Sequence, residues 1–410
     1  MTCTLESHRA EIARLLDPVI AALRTETLPV TAAELSGRVI AAEVTARLPI
    51  PAFTNSQMDG YAVRSEQLAQ ASAEHPVTLP LGLTAAAGDR QIELLPGTAS
   101  PVMTGAVIPA GADTVIPVEA TVEGSFVTLV RAGEGEPTGT ATFSAPSAPG
   151  TFIRPAGQDL QAGALVAAAG TRLTPTLIGA LAASGVPEVP VRRKLRVLVC
   201  TTGNELMGGT AHEGRIPDSN SPMLAAALRG YGVQVHTLQL PDEVQELSLA
   251  LKEQAREVDL ILTVGGISAG AFEVVREALT PQGGTFHHVA LQPGGPQGFA
   301  QLGGTPVLCF PGNPVSCLLS LELFLAPVLR QVAGLPEPVP ERYELAEAVQ
   351  SPVAKHQVRR ATLGQGTVTV LEPGSHLVHD LARADALVHI PVGVDHLAAG
   401  TMIDVWRMDV

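Results

Sequence analysis

Aromatic residues are scarce. Nine Phe, three Tyr and one Trp make up 3% of 410 residues, so any core must be built from aliphatic side chains. Hydrophobic residues at 46% supply them in quantity, and no disulfide or metal is needed to stabilise a core of that size. Cysteine is equally sparse. Cys3, Cys200, Cys309 and Cys317 show no C-x-x-C spacing, and three of them lie in apolar stretches. That excludes a disulfide framework and points to reduced thiols in a cytoplasmic protein. Basic residues are outnumbered 26 to 40, giving a net charge of −14. This deficit argues against a nucleic-acid partner and against docking on an anionic membrane. A long uninterrupted apolar run is also missing. The most apolar long stretch, residues 307–328, is broken by three prolines, Asn313 and Glu322, so no membrane span is expected. The opening residues, Met1-Thr-Cys-Thr-Leu-Glu-Ser-His-Arg9, do not form a secretory signal.

Glycine and proline, by contrast, are plentiful at 40 and 33 residues, which implies many short turns. At about 100–200 residues per domain, the length suggests two to four domains. Residues 5–24 carry Leu5, Ile12, Leu15, Leu16, Val19 and Leu23 at helical spacing, with Pro18 as a kink or stop. Residues 38–50 read as a strand. Residues 51–150 begin with a polar, irregular segment and continue as short apolar runs split by Gly and Pro, the pattern of a small all-β module. In residues 170–185, Thr174-Pro175 suits a helix start and Gly185 its end. That piece is expected to pack with residues 1–50, giving one discontinuous domain of residues 1–50 and 151–190.

From Leu195 the pattern alternates regularly. Strands are expected at 195–200, 233–240, 259–264, 286–291 and 306–310, and helices at 221–229, 243–258, 272–279 and 314–332. Near-continuous apolar strands alternating with helices imply a doubly wound parallel sheet over residues 191–333. Residues 334–410 return to short β runs, read as a C-terminal β-barrel or sandwich.

Ligands of open α/β sheets bind beyond the carboxyl ends of the strands. Three glycine-rich loops fall there: residues 201–206 with Gly203, residues 265–270 with Gly265, Gly266, Ser268 and Gly270, and Pro311-Gly312-Asn313-Pro314-Val315-Ser316. In the last, Gly312 allows close backbone approach, Asn313 can cap the helix and Pro314 suits its first position. First-turn N–H groups would then face a phosphate or oxyanion. Glu205, Asp218 and Glu273 flank the same edge. Carboxylates beside a phosphate site suggest Mg²⁺, with Glu205 and Asp218 as its ligands. Helix capping by Asp218 and a solvated first-turn role for Glu273 are the competing readings. His287 and His288, being adjacent, should point to opposite faces of a strand. His376, His379 and Asp380 lack a further ligand at matching spacing, and are better read as surface residues.

Further motifs run along the chain: Asn55-Ser-Gln-Met-Asp-Gly-Tyr-Ala-Val63, Met103-Thr-Gly-Ala106, Arg154-Pro-Ala-Gly-Gln-Asp159, Thr202-Gly-Asn-Glu-Leu206, Pro217-Asp-Ser-Asn220, the 265–270 loop, Pro311–Ser316 and Gly374-Ser-His376. In that order they resemble the motifs of the molybdopterin molybdenumtransferase family (MoeA and the gephyrin E-domain), and the first is similar to its N-S-x-M-D-G-Y-A signature. The resemblance implies a MogA-like α/β domain, a β-rich insertion domain and a C-terminal β-barrel. It also implies a homodimer whose active site is shared between subunits. The reaction it implies inserts molybdate, as substrate, into adenylylated molybdopterin with Mg²⁺ and releases AMP. Asp59 and Thr104 would come from the partner subunit. Asp59, Glu205, Asp218 and Glu273 would be catalytic. Thr104, Asp159, Ser219, Asn220, Asn313, Ser316 and Ser375 would bind substrate, with the last three of these on the oxyanion. A molybdopterin adenylyltransferase and recipient molybdoenzymes are the implied partners.

Some positions depart from the family pattern. Asn204 stands where G-D-E-L has its Asp, and Glu273-Val274 where D-Y is usual. Gln292-Pro-Gly-Gly295 lacks both lysines of K-P-G-K. Lys355, Arg359 and Arg360 are the cations in the last domain that could replace them. A second reading follows: a divergent paralogue that binds molybdopterin or a nucleotide as carrier or scaffold with little transferase activity.

Overall fold

In a computed structural model of the chain, residues 3–207, 214–268 and 273–408 are described. Gly270 and Phe272, expected in a binding loop and at a helix start, lie outside them.

The alternating segment builds a six-stranded sheet. Its order is Gln234–Leu240, Arg196–Thr202, Leu260–Val264, Thr305–Phe310, Pro296–Leu302, Thr285–His288. The first four strands run parallel, and the last two add an antiparallel edge to the expected parallel sheet. The Pro296–Leu302 strand has no sign in the sequence, because its Pro and Gly read as loop. Glycine is required at 298: the Phe286 ring packs directly on it, where a Cβ would collide. The expected strand 286–291 divides. Thr285–His288 stays in this sheet, whereas Leu291–Gln292 pairs with His356–Gln357 of the last domain.

Successive side chains of a strand face opposite sides. Val197 and Val199 therefore join one core, with helix Asn220–Gly230 and the long helix Pro314–Val332. Leu198 and Cys200 join the other, with helices Val244–Gln254 and Val274–Leu279. Burial on both faces explains why these strands are apolar throughout. The Pro314–Val332 helix has the length and composition of a membrane span, but 72% of its apolar window is buried inside the protein. Its middle widens into a π turn at Leu321–Leu325, just before Pro327. Pro327 has no N–H to donate to the Leu323 carbonyl. Arg9 Nε donates to that carbonyl instead, at 2.9 Å.

Arg9 lies on helix Leu5–Ala21, capped by Thr4, whose hydroxyl accepts from Ser7 N at 3.1 Å. The helix runs through Pro18 and stops before residue 24. Its buried face, Leu5, Ile12 and Leu16, packs on the α/β core and not on residues 151–190 as expected. The apolar stripe follows the larger hydrophobic surface that the Pro314–Val332 helix offers.

Residues further along do come together with the 163–192 segment. Thr25–Pro29 pairs with Glu188–Arg192 over a core of Leu35, Ile40, Val44, Leu173 and Leu181. Helix Pro175–Ala183 starts as expected, with Thr174 Oγ1 accepting from Leu177 N. The strand expected over residues 38–50 shrinks to Val44–Thr45. Its backbone changes partner every few residues: Ile40 N donates to Thr171, Ala41 N to Pro190, Ala46 N to Ala164 and Leu48 N to Ser184. No continuous ladder can form along such a path.

The insertion holds Gly60–Val63 between Ser100–Val102 and Thr114–Pro117, with a second pair, Val77–Pro80 and Thr140–Phe143. At the C-terminus, His356–Leu363, Thr367–Val370, Glu341–Leu345, Met402–Arg407 and Ala386–Ile390 close on themselves through the pairing of the first with the last.

Candidate functional site

The parallel strands end in loops at one edge of the sheet, where the strand order reverses direction around Arg196–Thr202. That is the place where an open α/β sheet leaves a crevice. A cleft of about 810 Å³ opens there. It collects Gly203, Glu205, Ser219, Gly265, Gly266, Ser268, Glu273, Pro311, Gly312, Asn313, Pro314, Ser316 and Ser375 from the residues expected in the site.

Glycine is needed where the loops meet. Gly265 and Gly266 have φ of +93° and +62°, a region unfavourable for side chains. A Cβ on Gly266 would also come 3.0 Å from Val275 N. Gly312 is less constrained: a Cβ there would make ordinary contact, 3.4 Å from the Gly265 Cα. The Pro311–Ser316 loop enters its helix as expected, with Asn313 extended and Pro314 in the first turn. Asn313 makes no side-chain cap, however. Val315 N donates to the Ser375 carbonyl at 3.1 Å, which ties the barrel domain to the cleft. Pro314 has no N–H, so the Ser316 N–H and the Asn313 amide are the donors this turn presents to a ligand. Thr202 Oγ1, buried in the wall, has no partner among the described residues.

Asp218 does not line the cleft. Its Oδ1 accepts from Asn220 N at 2.9 Å and Ser221 N at 3.1 Å. Its Oδ2 accepts from Thr201 Oγ1 at 2.9 Å and from Ser221 Oγ. Both oxygens are committed to the start of the Asn220–Gly230 helix. That occupancy matches the capping alternative and competes with metal ligation. Asn220 acts one step further on, donating from Nδ2 to the Gly312 carbonyl at 2.7 Å. Glu273 accepts from Ser268 N at 2.6 Å. The Glu205 carboxylate folds back over Gly203 at the cleft.

Asp59, Thr104 and Asp159 stand in the other domains. Thr104 N and Oγ1 both donate to Asp59 Oδ1, at 2.6 and 2.8 Å, on an exposed loop of the insertion. None of the three lines the cleft.

The candidate replacement cations do not reach it either. Arg359 donates to the Leu371 carbonyl. Arg360, 2% exposed, donates to the carbonyls of Glu372, Gly374 at 3.0 Å and Leu377 at 2.7 Å. It therefore holds the loop that carries Ser375. Lys355 is absent from the lining. Among the described lining residues there is no Lys or Arg. At position 295 the His288 imidazole fills the space a side chain would need.

Several residues in or behind the cleft have weak sequence signals. Asp242 lines it and exchanges hydrogen bonds with Asn204: Asn204 N donates to Asp242 Oδ2 at 2.9 Å. Its position after the Gln234–Leu240 strand is the only cue. Gln297, 1% exposed, donates to the Gly294 carbonyl and to Ser320 Oγ, both at 2.8 Å. Ser320 Oγ donates in turn to the Ser316 carbonyl at 2.8 Å. This chain pins the 293–296 loop to the turn that carries Ser316. His376 also lines the cleft. The three buried cysteines offer no nucleophile. Burial pushes Cys200 and Cys309 up to about 12 and raises Cys317 as well.

Residues 3–185 match the MoeA N-terminal region (domain I and II), residues 198–331 a probable molybdopterin binding domain, and residues 342–408 the MoeA C-terminal region (domain IV). Molybdopterin molybdenumtransferase 2 of Mycobacterium tuberculosis is 41% identical, with 99% of each chain covered. Molybdopterin molybdenumtransferase of Synechococcus elongatus is 34% identical over 98% of each. The crystal structure of the molybdopterin biosynthesis MoeA protein from Pyrococcus horikosii aligns with a TM-score of 0.81 at 27% identity, covering 100% of both chains.

Proposed function

The chain belongs to the molybdopterin molybdenumtransferase family, and from that premise we propose that its cleft inserts molybdate into adenylylated molybdopterin and releases AMP. The observation that carries this reading is the convergence of three glycine loops on one cleft of about 810 Å³. Its size suits a pterin joined to a nucleotide. Gly265, Gly266 and Gly312 let the backbone approach phosphates. The Ser316 N–H, with Asn313 and Ser375, faces the oxyanion at a helix N-terminus. Cleaving a phosphoanhydride needs positioned donors and charge neutralisation more than a covalent nucleophile, in keeping with a cleft without a reactive thiol.

The lining carries carboxylates and no Lys or Arg among its described residues, so a cation must balance the phosphates. Mg²⁺ takes one or two carboxylates and completes its shell with phosphate oxygens and water. Glu205 and Asp242 offer that pair; Asp218, with both oxygens occupied, supports the loops behind them. Bound there, Mg²⁺ would neutralise charge on the phosphates of the substrate.

We further propose a homodimer in which the Asp59–Thr104 pair reaches the cleft of the other subunit. Asp59 is exposed, its carboxylate is already oriented by Thr104, and it is absent from the lining of its own chain's cleft. Asp159 would join from the same side. The protein would act in the cytoplasm, receiving substrate from a molybdopterin adenylyltransferase and passing cofactor to molybdoenzymes, with no nucleic-acid or membrane partner.

The test is expression in a strain lacking its own molybdenumtransferase, with assay of a molybdoenzyme at ordinary and excess molybdate. In parallel, AMP release from adenylylated molybdopterin is followed with and without molybdate and Mg²⁺. Rescue together with molybdate-dependent AMP release is expected. A folded protein that binds adenylylated molybdopterin yet neither rescues nor releases AMP would overturn the transferase reading in favour of a carrier.

A further inference from the structure

His287 and His288 do point to opposite faces of their strand. His288 lies against Gly295, while His287 turns toward the N-terminal helix. On that side four metal-ligating atoms converge: Cys3 Sγ, His8 Nδ1, Glu11 Oε2 and His287 Nε2, all within 4.8 Å of one another. We propose that these four residues form a site for a single divalent cation of the zinc class, which staples the N-terminal helix to the edge strand Thr285–His288. The proposal is independent of the reading of the cleft.

The local folding explains the convergence. His8 and Glu11 are one turn apart and share a helical face. Cys3 sits just before the helix and is held to the edge of the domain: it bridges Val289, and Ala290 N donates to the Cys3 carbonyl at 2.8 Å. His287 comes from a strand more than 270 residues away in sequence, at a separation of 279 from His8.

Four of the six separations between ligand atoms are close to those of a tetrahedron. Cys3 Sγ lies 3.5 Å from His287 Nε2, which is 3.0 Å from His8 Nδ1. Glu11 Oε2 is 3.7 Å from His8 Nδ1 and 3.9 Å from His287 Nε2. With Zn–N of about 2.0–2.1 Å and Zn–S of about 2.3 Å, ligand atoms around tetrahedral zinc lie roughly 3.3–3.7 Å apart. Those four separations need to change by about half an ångström or less, and every pair of ligand atoms lies within 4.8 Å.

Hydrogen bonding alone does not satisfy this group. His287 Nε2 faces a thiol, an imidazole nitrogen and a carboxylate oxygen, yet it carries at most one proton. Glu11 Oε2 is buried with no hydrogen-bond partner among the described residues. The adjacent cation, Arg9, is turned away to the Leu323 carbonyl. One thiolate and one carboxylate balance a divalent charge, and the S, N, N, O donor set selects zinc over magnesium. His8, 1% exposed, stands edge-on to Phe324 at 4.6 Å, so one wall of the site is apolar.

The full-length protein is tested with zinc and cobalt alone as probes. After equilibration with zinc and dialysis, elemental analysis should give one zinc per chain. The cobalt form should show a thiolate-to-cobalt charge-transfer band and the visible bands of tetrahedral Co²⁺. Cys3→Ser should abolish the charge-transfer band, and Cys3→Ser and His287→Gln should each weaken zinc binding by more than about tenfold. Substoichiometric zinc in the wild-type protein, or a cobalt spectrum without the thiolate band, overturns the proposal. So does undiminished zinc in both variants. The wild-type measurements decide the matter even if a variant fails to fold.

Discussion

Replacing Asp218 separates helix capping from metal binding. Its carboxylate accepts two N–H groups at the start of the Asn220–Gly230 helix and two hydroxyls, Thr201 and Ser221. Asp218→Ala removes the cap, which costs about 1 kcal/mol. It also removes a negative charge from a helix N-terminus, worth about 0.3–1 kcal/mol. The Thr201 hydroxyl, fully buried, loses its charged acceptor and keeps only the Ser221 contact at 3.2 Å, a loss of about 1–2 kcal/mol. The sum is about 2–4 kcal/mol, or a fall in Tm of roughly 5–15 °C for a domain of this size. Asp218→Asn keeps one acceptor oxygen for the two N–H groups, and both hydroxyls can rotate to meet its amide. It should therefore cost only about 1 kcal/mol. Thermal unfolding, paired with molybdate-dependent AMP release across a Mg²⁺ titration, reads both effects. The expected result is a clear Tm loss for Asp218→Ala, and residual activity with the wild-type Mg²⁺ dependence for Asp218→Asn. An Asp218→Asn protein with unchanged Tm, no activity and no response to Mg²⁺ would refute the capping argument and make Asp218 a metal ligand.

Three other perturbations follow from the same geometry. Arg360→Ala should destabilise the barrel by about 2–4 kcal/mol, since its guanidinium serves three carbonyls of the Ser375 loop. It should also raise KM more than it lowers kcat, and Arg360→Lys should not rescue it, because one ammonium cannot span the three acceptors. Gly312→Ala should leave Tm almost unchanged, as its Cβ makes ordinary contact at 3.4 Å. Ligand affinity, measured by calorimetry, should nevertheless fall by about tenfold, or about 1.4 kcal/mol, because the methyl group enters the cleft. Burial holds His389 neutral, lowering its pKa from 6.5 to about 3. The folded state then binds fewer protons than the unfolded chain between those values. Its stabilising contribution is complete above pH 6.5 and is lost as pH falls toward 3. Denaturant unfolding at a series of pH values should show this slope, and His389→Gln should reduce it without abolishing it, because burial also holds His8 neutral.

Much of the site was legible because its chemistry is local. A glycine that must adopt positive φ, as at 265 and 266, or a proline in the first turn of a helix, as at 314, is marked by residue type alone. The alternation of apolar strands and helices likewise marks a sheet covered on both faces. Residues whose role depends on a distant partner were not legible. Asp242 matters through Asn204, Gln297 through Ser320, and Arg360 through carbonyls of a loop more than ten residues away. The Pro296–Leu302 strand was hidden for a related reason: Gly298 reads as loop until Phe286 is seen to occupy its missing side chain.

Sequence alone determined the family, the order of the parallel strands and their helices, and the helix start at Pro314. The last two are written in local backbone preference and hydrophobic period, and the family in the order of its motifs. Only the tertiary structure decided that Asp218 caps a helix, that the N-terminal helix packs on the α/β core, and that Cys3, His8 and Glu11 meet His287. Those outcomes rest on which surfaces bury each other across hundreds of residues. Spacing along the chain carries no record of it, since the same Asp before a helix can cap that helix or reach past it to a metal.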